Sequence, residues 1–279
     1  MSVAAFFKNI QGGHVGLFVL TIVVLLAIFA PLVSPDNPVR SDLRGRLAEP
    51  TLSLTEMGSA PLGRDQLGRD ILSRMIYGSR ATLLVALCAV VVGGIVGVTI
   101  GMISGFSGGI LDRILMRITD IQLAFPLMLL ALLMVAAMGA NFFNLIVILA
   151  LTSWTRYARI VRGEVLQLRE REFVLSAVAA GASAWRICVR HILPNIMAPI
   201  IVVATLELGR VIVMESALSF LGVGMQPPTP SWGRMLAEGR SYVSRAWWLA
   251  AFPGLGIMLV VLSINLIGDW LRDVFDPKR

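Results

Sequence analysis

Apolar runs long enough to cross a bilayer recur along this chain, and one arginine-rich interruption, Thr155 to Asn195, divides them into two groups. About 20 apolar residues in a helix match the hydrocarbon thickness, and a spanning segment must satisfy its own backbone there, which a helix does. In order, the runs are Val15 to Val33, Ala81 to Gly105, Ile121 to Met138 with Pro126 near its start, a short Phe142 to Trp154, Ile196 to Val223, and a last one entered at Trp247 and Trp248. The expected fold is an all-α membrane protein with six transmembrane helices. Val15 to Val33 is too long for a typical signal-peptide core and is followed by no convincing cleavage site, so it reads as an uncleaved first helix.

Hydrophobic residues make up 57% of the chain and charged ones 15%, which excludes an ordinary soluble domain. The net charge of +7 sits in loops between apolar runs rather than on an aromatic-basic face. It therefore fits an anionic lipid surface and no nucleic acid. Cys88 and Cys188 form no disulfide framework, and His14 and His191 no metal set. No G-x-x-x-x-G-K-[ST] phosphate loop occurs, so the chain is expected to hold no cofactor and any nucleotide chemistry to belong to another chain.

The interruption itself reads as a helical hairpin. Arg159 to Arg171 has good helix formers with charges all round, and Phe173 to Ala180 is a short apolar helix. Gly181 supplies a left-handed stop, Ser183 an N-cap for Ala184 to Ile192, and Pro194 the point where that helix ends or a new one starts. One reading is an ordinary cytoplasmic loop, basic as such loops are. The other is a docking element. A solvated loop has no need of Phe173, Val174, Leu175, Ala177, Val178 and Trp185, and an apolar helix outside the membrane needs a partner to cover it.

Within the apolar runs, Gly93, Gly97, Gly101 and Gly105 recur every four residues, a stripe that lets another helix approach closely or else lines a path for solute. Glu207, Arg210 and Glu215 lie in the fifth run. A charge at a membrane helix centre costs about 2.5–3.5 kcal/mol, so these residues face protein or water. Glu207 and Arg210 are spaced to pair, either as structural neutralisation or on the wall of a cavity. An embedded enzyme built on Glu207, Glu215 and His191 is disfavoured, because no nucleophile–base set lies near the carboxylates.

Several stretches resemble the permease subunits of bacterial ABC importers. That family's coupling loop runs Glu-Ala-Ala, three residues, Gly, nine residues, Ile-x-Leu-Pro. Ala177, Gly181, Leu193 and Pro194 match it, whereas Leu175, Ser176 and His191 replace Glu, Ala and Ile. The run from Pro61 to Arg80, PLGRDQLGRDILSRMIYGSR, and QPPTPSWG from Gln226 are similar to the peptide and nickel branch, while ESALSFLGVG from Glu215 and the closing Gly-Asp, Leu-Arg-Asp, Asp-Pro pattern resemble the family. The resemblance implies a type I importer permease fold with a cytoplasmic coupling helix. It divides the chain into a head and first helix (1–34), an external connection (35–80), a five-helix core (81–270) and a cytoplasmic tail (271–279). Phe173, Val174, Ala177, Val178, Gly181, Ser183, Leu193 and Pro194 would couple it to an ATPase. The implied partners are a second, related permease, two ATP-binding subunits and an external solute-binding protein. The implied location is the bacterial inner membrane with both termini cytoplasmic. The implied cargo is di- or oligopeptides, with nickel, glutathione or opines as alternatives.

Overall fold

The computed structural model describes residues 3–51 and 60–275, with side chains from Gly12 onward. Asp276 and Pro277 of the closing pattern lie outside the described residues. The elements are α1 (Val3–Ile28), α2 (Ala30–Val33), α3 (Ile71–Ser107), α4 (Gly109–Ala124), α5 (Leu127–Met138), α6 (Phe142–Leu168), α7 (Glu172–Ala179), α8 (Ala184–Ile187), α9 (Met197–Phe220), α10 (Trp232–Gly239) and α11 (Trp248–Phe275). No strand occurs among the described residues beyond an isolated bridge between Arg64 and Asp70. Three helical stretches are long and apolar enough to cross a membrane: Ile71–Ser107, Ala184–Phe220 and Trp248–Phe275. The bent pair α4–α5 makes a fourth if it is one span, and the apolar part of α1, Gly12–Ile28, is shorter. In α6 an apolar first half is followed by a basic second half.

Four boundaries differ from the sequence reading, each for a local reason. First, α3 starts at Ile71 rather than Ala81, because Asp70 caps it by accepting from the Ser73 amide at 2.7 Å. Second, the run Ile121 to Met138 is no single helix. Phe125 adopts an extended conformation before Pro126, as proline requires of its predecessor, and α4 and α5 meet at 92°.

Third, α6 does not stop at Trp154. Thr155, Tyr157, Ala158, Val161 and Val165 carry on the face that packs on α3, so the first third of the polar interruption belongs to the helix bundle. Fourth, Pro194 ends nothing. A π turn over Cys188–Ile192 and a 3-10 turn over Leu193–Ile196 absorb the missing amide, and α8 runs on into α9.

The tightest helix pair is α3 on α6, and the glycine stripe is its seam. A Cβ on Gly93 would sit 2.9 Å from the Ala150 carbonyl oxygen, and one on Gly97 would sit 2.6 Å from the Tyr157 Cβ. At Gly101 the obstacle is the Ala158 carbonyl oxygen at 2.6 Å, and at Gly105 the Val165 Cβ at 2.8 Å. All four glycines are buried. Against this pair pack α9 and then α11, whose other flank carries α1.

Between α1 and α3 the chain makes a folded clasp. Gly63 and Gly68 turn with φ of +82° and +74°. Asp65 pairs with Arg69 at 2.6 Å and with Arg74, and both arginines reach Glu238 of α10, at 2.8 and 2.9 Å. Burial would push the Glu238 carboxyl up, yet the guanidinium groups of Arg74 and Arg69 hold it below the ordinary range. Of the tryptophan pair at the entry to the last run, Trp248 is the inner one. It is buried under the clasp and donates to the Arg64 carbonyl at 3.3 Å, while Trp247 stays exposed.

Candidate functional site

The polar interruption ends in a compact knuckle. Val174 of α7 is buried with Met102, Val161, Val165, Ile187, Ile192 and Ile196, and Ala177 and Leu193 pack against the same cluster. The other face of α7 is open: Phe173, Leu175 and Val178 are exposed, and Trp185 beside them is 75% exposed. The residues singled out for coupling thus divide into two sets. Val174, Ala177 and Leu193 hold the knuckle to its own chain, whereas Phe173 and Val178 face outward with Leu175. Gly181 closes α7 at φ +78°, its amide donating to the Val178 carbonyl at 2.9 Å. The Ser183 hydroxyl caps α8 by accepting from the Arg186 amide at 3.4 Å. Pro194 is exposed where the π and 3-10 turns meet.

An ion pair and two further hydrogen bonds brace the base of the knuckle. Arg162 grips Asp112 with two hydrogen bonds of 2.6 and 2.7 Å, and Ser104 bonds the same carboxylate. The Arg162 guanidinium holds the Asp112 carboxyl at about 2 despite its partial burial. Arg169, just past α6, donates to the Gly105 carbonyl at 3.1 Å. The ends of α3, α4 and α6 are therefore tied together beside α7.

Halfway along the bundle lies a polar centre. Arg210 donates to Glu207 Oε2 from Nε at 2.9 Å and from Nη2 at 2.6 Å, and to the Thr152 carbonyl at 3.2 Å. Arg156 of α6, missed in the sequence, pairs with Glu207 Oε1 at 3.2 Å. The available signal was that nothing between Trp154 and Arg156 can stop a helix. Arg156 and Arg210 border a cavity of about 540 Å3 to which α5, α9 and α11 also contribute. Glu215 stands apart, fully buried about two turns further along α9, where it accepts from the Ser219 hydroxyl at 2.7 Å. It does not border that cavity.

The exposed apolar knuckle is thus packed on helices that carry a polar centre. Residues 97–279 match the family described as binding-protein-dependent transport system inner membrane component, and residues 5–50 match the N-terminal TM domain of oligopeptide transport permease C. The chain belongs to the binding-protein-dependent transport permeases. It is a multi-pass inner-membrane importer subunit and not an enzyme. This permease is 44% identical over 274 residues to the di/tripeptide transport system permease protein DppC of Pseudomonas aeruginosa, covering 98% of this chain and 90% of that one. It is also 44% identical to the dipeptide transport system permease proteins DppC of Escherichia coli K12 and Alkalihalophilus pseudofirmus. Those matches cover 98% and 95% of this chain, and 91% and 85% of the relatives. The family match takes in the knuckle, the polar centre and most of the glycine seam.

Proposed function

We propose that this permease forms half of a membrane path for dipeptides, loaded by an external binding protein and driven by ATP on two separate subunits. A second, related permease supplies the other half. The knuckle and both termini face the cytoplasm, where an ATP-binding subunit covers α7, and the clasp and α10 face outward toward the binding protein. ATP stays on the partner subunits. Closure of the ATPase pair moves α7, and the braces at Asp112 and Arg169 carry that motion into α3, α4 and α6. The bundle then switches between two packings, a two-state element biased by a distant ligand.

The observation that carries the reading is the outward apolar face of α7, Phe173, Leu175 and Val178, on a helix pinned from behind by Val174. The names of the relatives supply the cargo. The test changes the outward face without touching the pinned one. Phe173→Asp or Val178→Asp should leave membrane insertion and pairing with the second permease intact and lower ATP-driven dipeptide uptake at least tenfold. A Gly181→Asp variant should do the same through its left-handed backbone. Normal uptake together with normal stimulated ATPase in all three would rule docking out.

A further inference from the structure

The polar centre carries more positive charge than pairing explains. Two guanidinium groups, Arg156 and Arg210, share one carboxylate, Glu207, and both of its oxygens are taken, Oε1 by Arg156 and Oε2 by Arg210. The cluster is therefore net cationic, near the middle of α6 and α9. Arg210 is largely spent, with donors on Glu207 and on the Thr152 carbonyl. Arg156 is not. Its side chain is 50% exposed, and among the described residues its one partner is Glu207, which leaves most of its five N–H donors for something else. Such a charge cannot be left against lipid, so its open side meets water or protein.

The cavity beside it suits a small, varied guest. Gly209 leaves room for the Asn265 side chain, since a Cβ there would lie 3.3 Å from Asn265 Oδ1. Met128 and Met214 give the remaining wall adaptable, unbranched surface. We infer that Arg156, supported by Arg210 and Asn265, is an intramembrane subsite for the terminal carboxylate of the passing peptide, and that Met128 and Met214 accommodate its side chain. The inference rests on the dipeptide reading above. A planar guanidinium fork matches a carboxylate with two parallel bonds, and every dipeptide carries one whatever its sequence. The peptide ammonium is not the group held here, because Glu207 is buried behind the two arginines and does not line the cavity.

The experiment uses the complete complex, with its ATPases and binding protein, in proteoliposomes and a radiolabelled dipeptide. Arg156→Gln should assemble, keep binding-protein-stimulated ATPase, and lower dipeptides carried per ATP at least tenfold. Arg156→Lys preserves the pairing with Glu207 but loses the fork, and should lower the same ratio severalfold. Arg156→Gln leaves Glu207 paired with Arg210, so a loss there does not come from an unneutralised carboxylate. The deciding comparison is therefore Arg156→Lys against Arg156→Gln. A wild-type ratio in Arg156→Lys would show that only the charge matters and would overturn the subsite, as would an unchanged ratio in Arg156→Gln. If the wild-type complex carries no dipeptide, the dipeptide reading falls and the subsite falls with it. A wild type that transports beside unaffected variants sinks the subsite alone.

Discussion

At Gly97 a single methyl group decides how closely two membrane helices approach. A Cβ there would sit 2.6 Å from the Tyr157 Cβ on a buried seam, so α3 and α6 must part or the side chain must strain. Gly97→Ala should cost about 1–3 kcal/mol of stability, the usual penalty of overpacking. Thermal unfolding of the purified complex measures it, and an unshifted midpoint would mean the seam is loose. This seam could be read directly from sequence, because a period of four keeps glycines near one helical face whatever the partner. The partner could not be read. Nothing in Gly93 to Gly105 says that Ala150 to Val165 lies opposite. The charges were harder still. Arg156 and Arg162 read as part of a polar interruption outside the bundle because their neutralising carboxylates, Glu207 and Asp112, come from other helices.

For whole elements, the outcome turned on where helices stop. Phe125 before Pro126 breaks a helix as proline chemistry dictates, yet Leu193 before Pro194 does not, because the π turn upstream widens the helix and absorbs the lost bond. Local sequence offers both outcomes, and packing of Ile187, Ile192 and Ile196 into the knuckle selects the second. The paired Gly-Arg-Asp stretches show the same limit. They are visible as a repeat, but their use as a clasp depends on Glu238, far along the chain. In that clasp Arg74 is buried and faces two carboxylates, Asp65 and Glu238, that also serve Arg69. Removing one acid from a buried ion network leaves charge uncompensated at a cost of about 3 kcal/mol or more. Glu238→Ala should therefore loosen the clasp from α10 and lower the thermal midpoint by several degrees. It should also raise protease sensitivity at the residue 35–70 connection before the rest of the chain. Unchanged digestion there would mean the hydrophobic contacts of Trp248 and Trp232 suffice to hold it.

For the molecule as a whole, surface rather than charge argues which way it faces. Basic residues are split almost evenly between the two ends of the bundle, so the positive-inside rule decides little. The distribution of exposed apolar surface decides more. At one end Phe173 and Val178 stand outside the spanning stretches, with Trp185 exposed at the very start of one, and an apolar surface of that kind persists only where a partner covers it. At the other end the clasp and the turn before α10 present prolines and polar groups around Tyr77 and Thr229. ATPases are cytoplasmic, so the proposal fixes the knuckle inside and the clasp outside. In a background with Cys88→Ser and Cys188→Ser, a membrane-impermeant maleimide added to intact cells should label Thr229→Cys and leave Trp185→Cys untouched. Inverted vesicles should reverse the pattern, with labelling of Trp185→Cys further reduced when the ATP-binding subunits are co-expressed. Labelling of Trp185→Cys from outside intact cells would turn the molecule over and leave α7 on the wrong side of the membrane for ATP to drive.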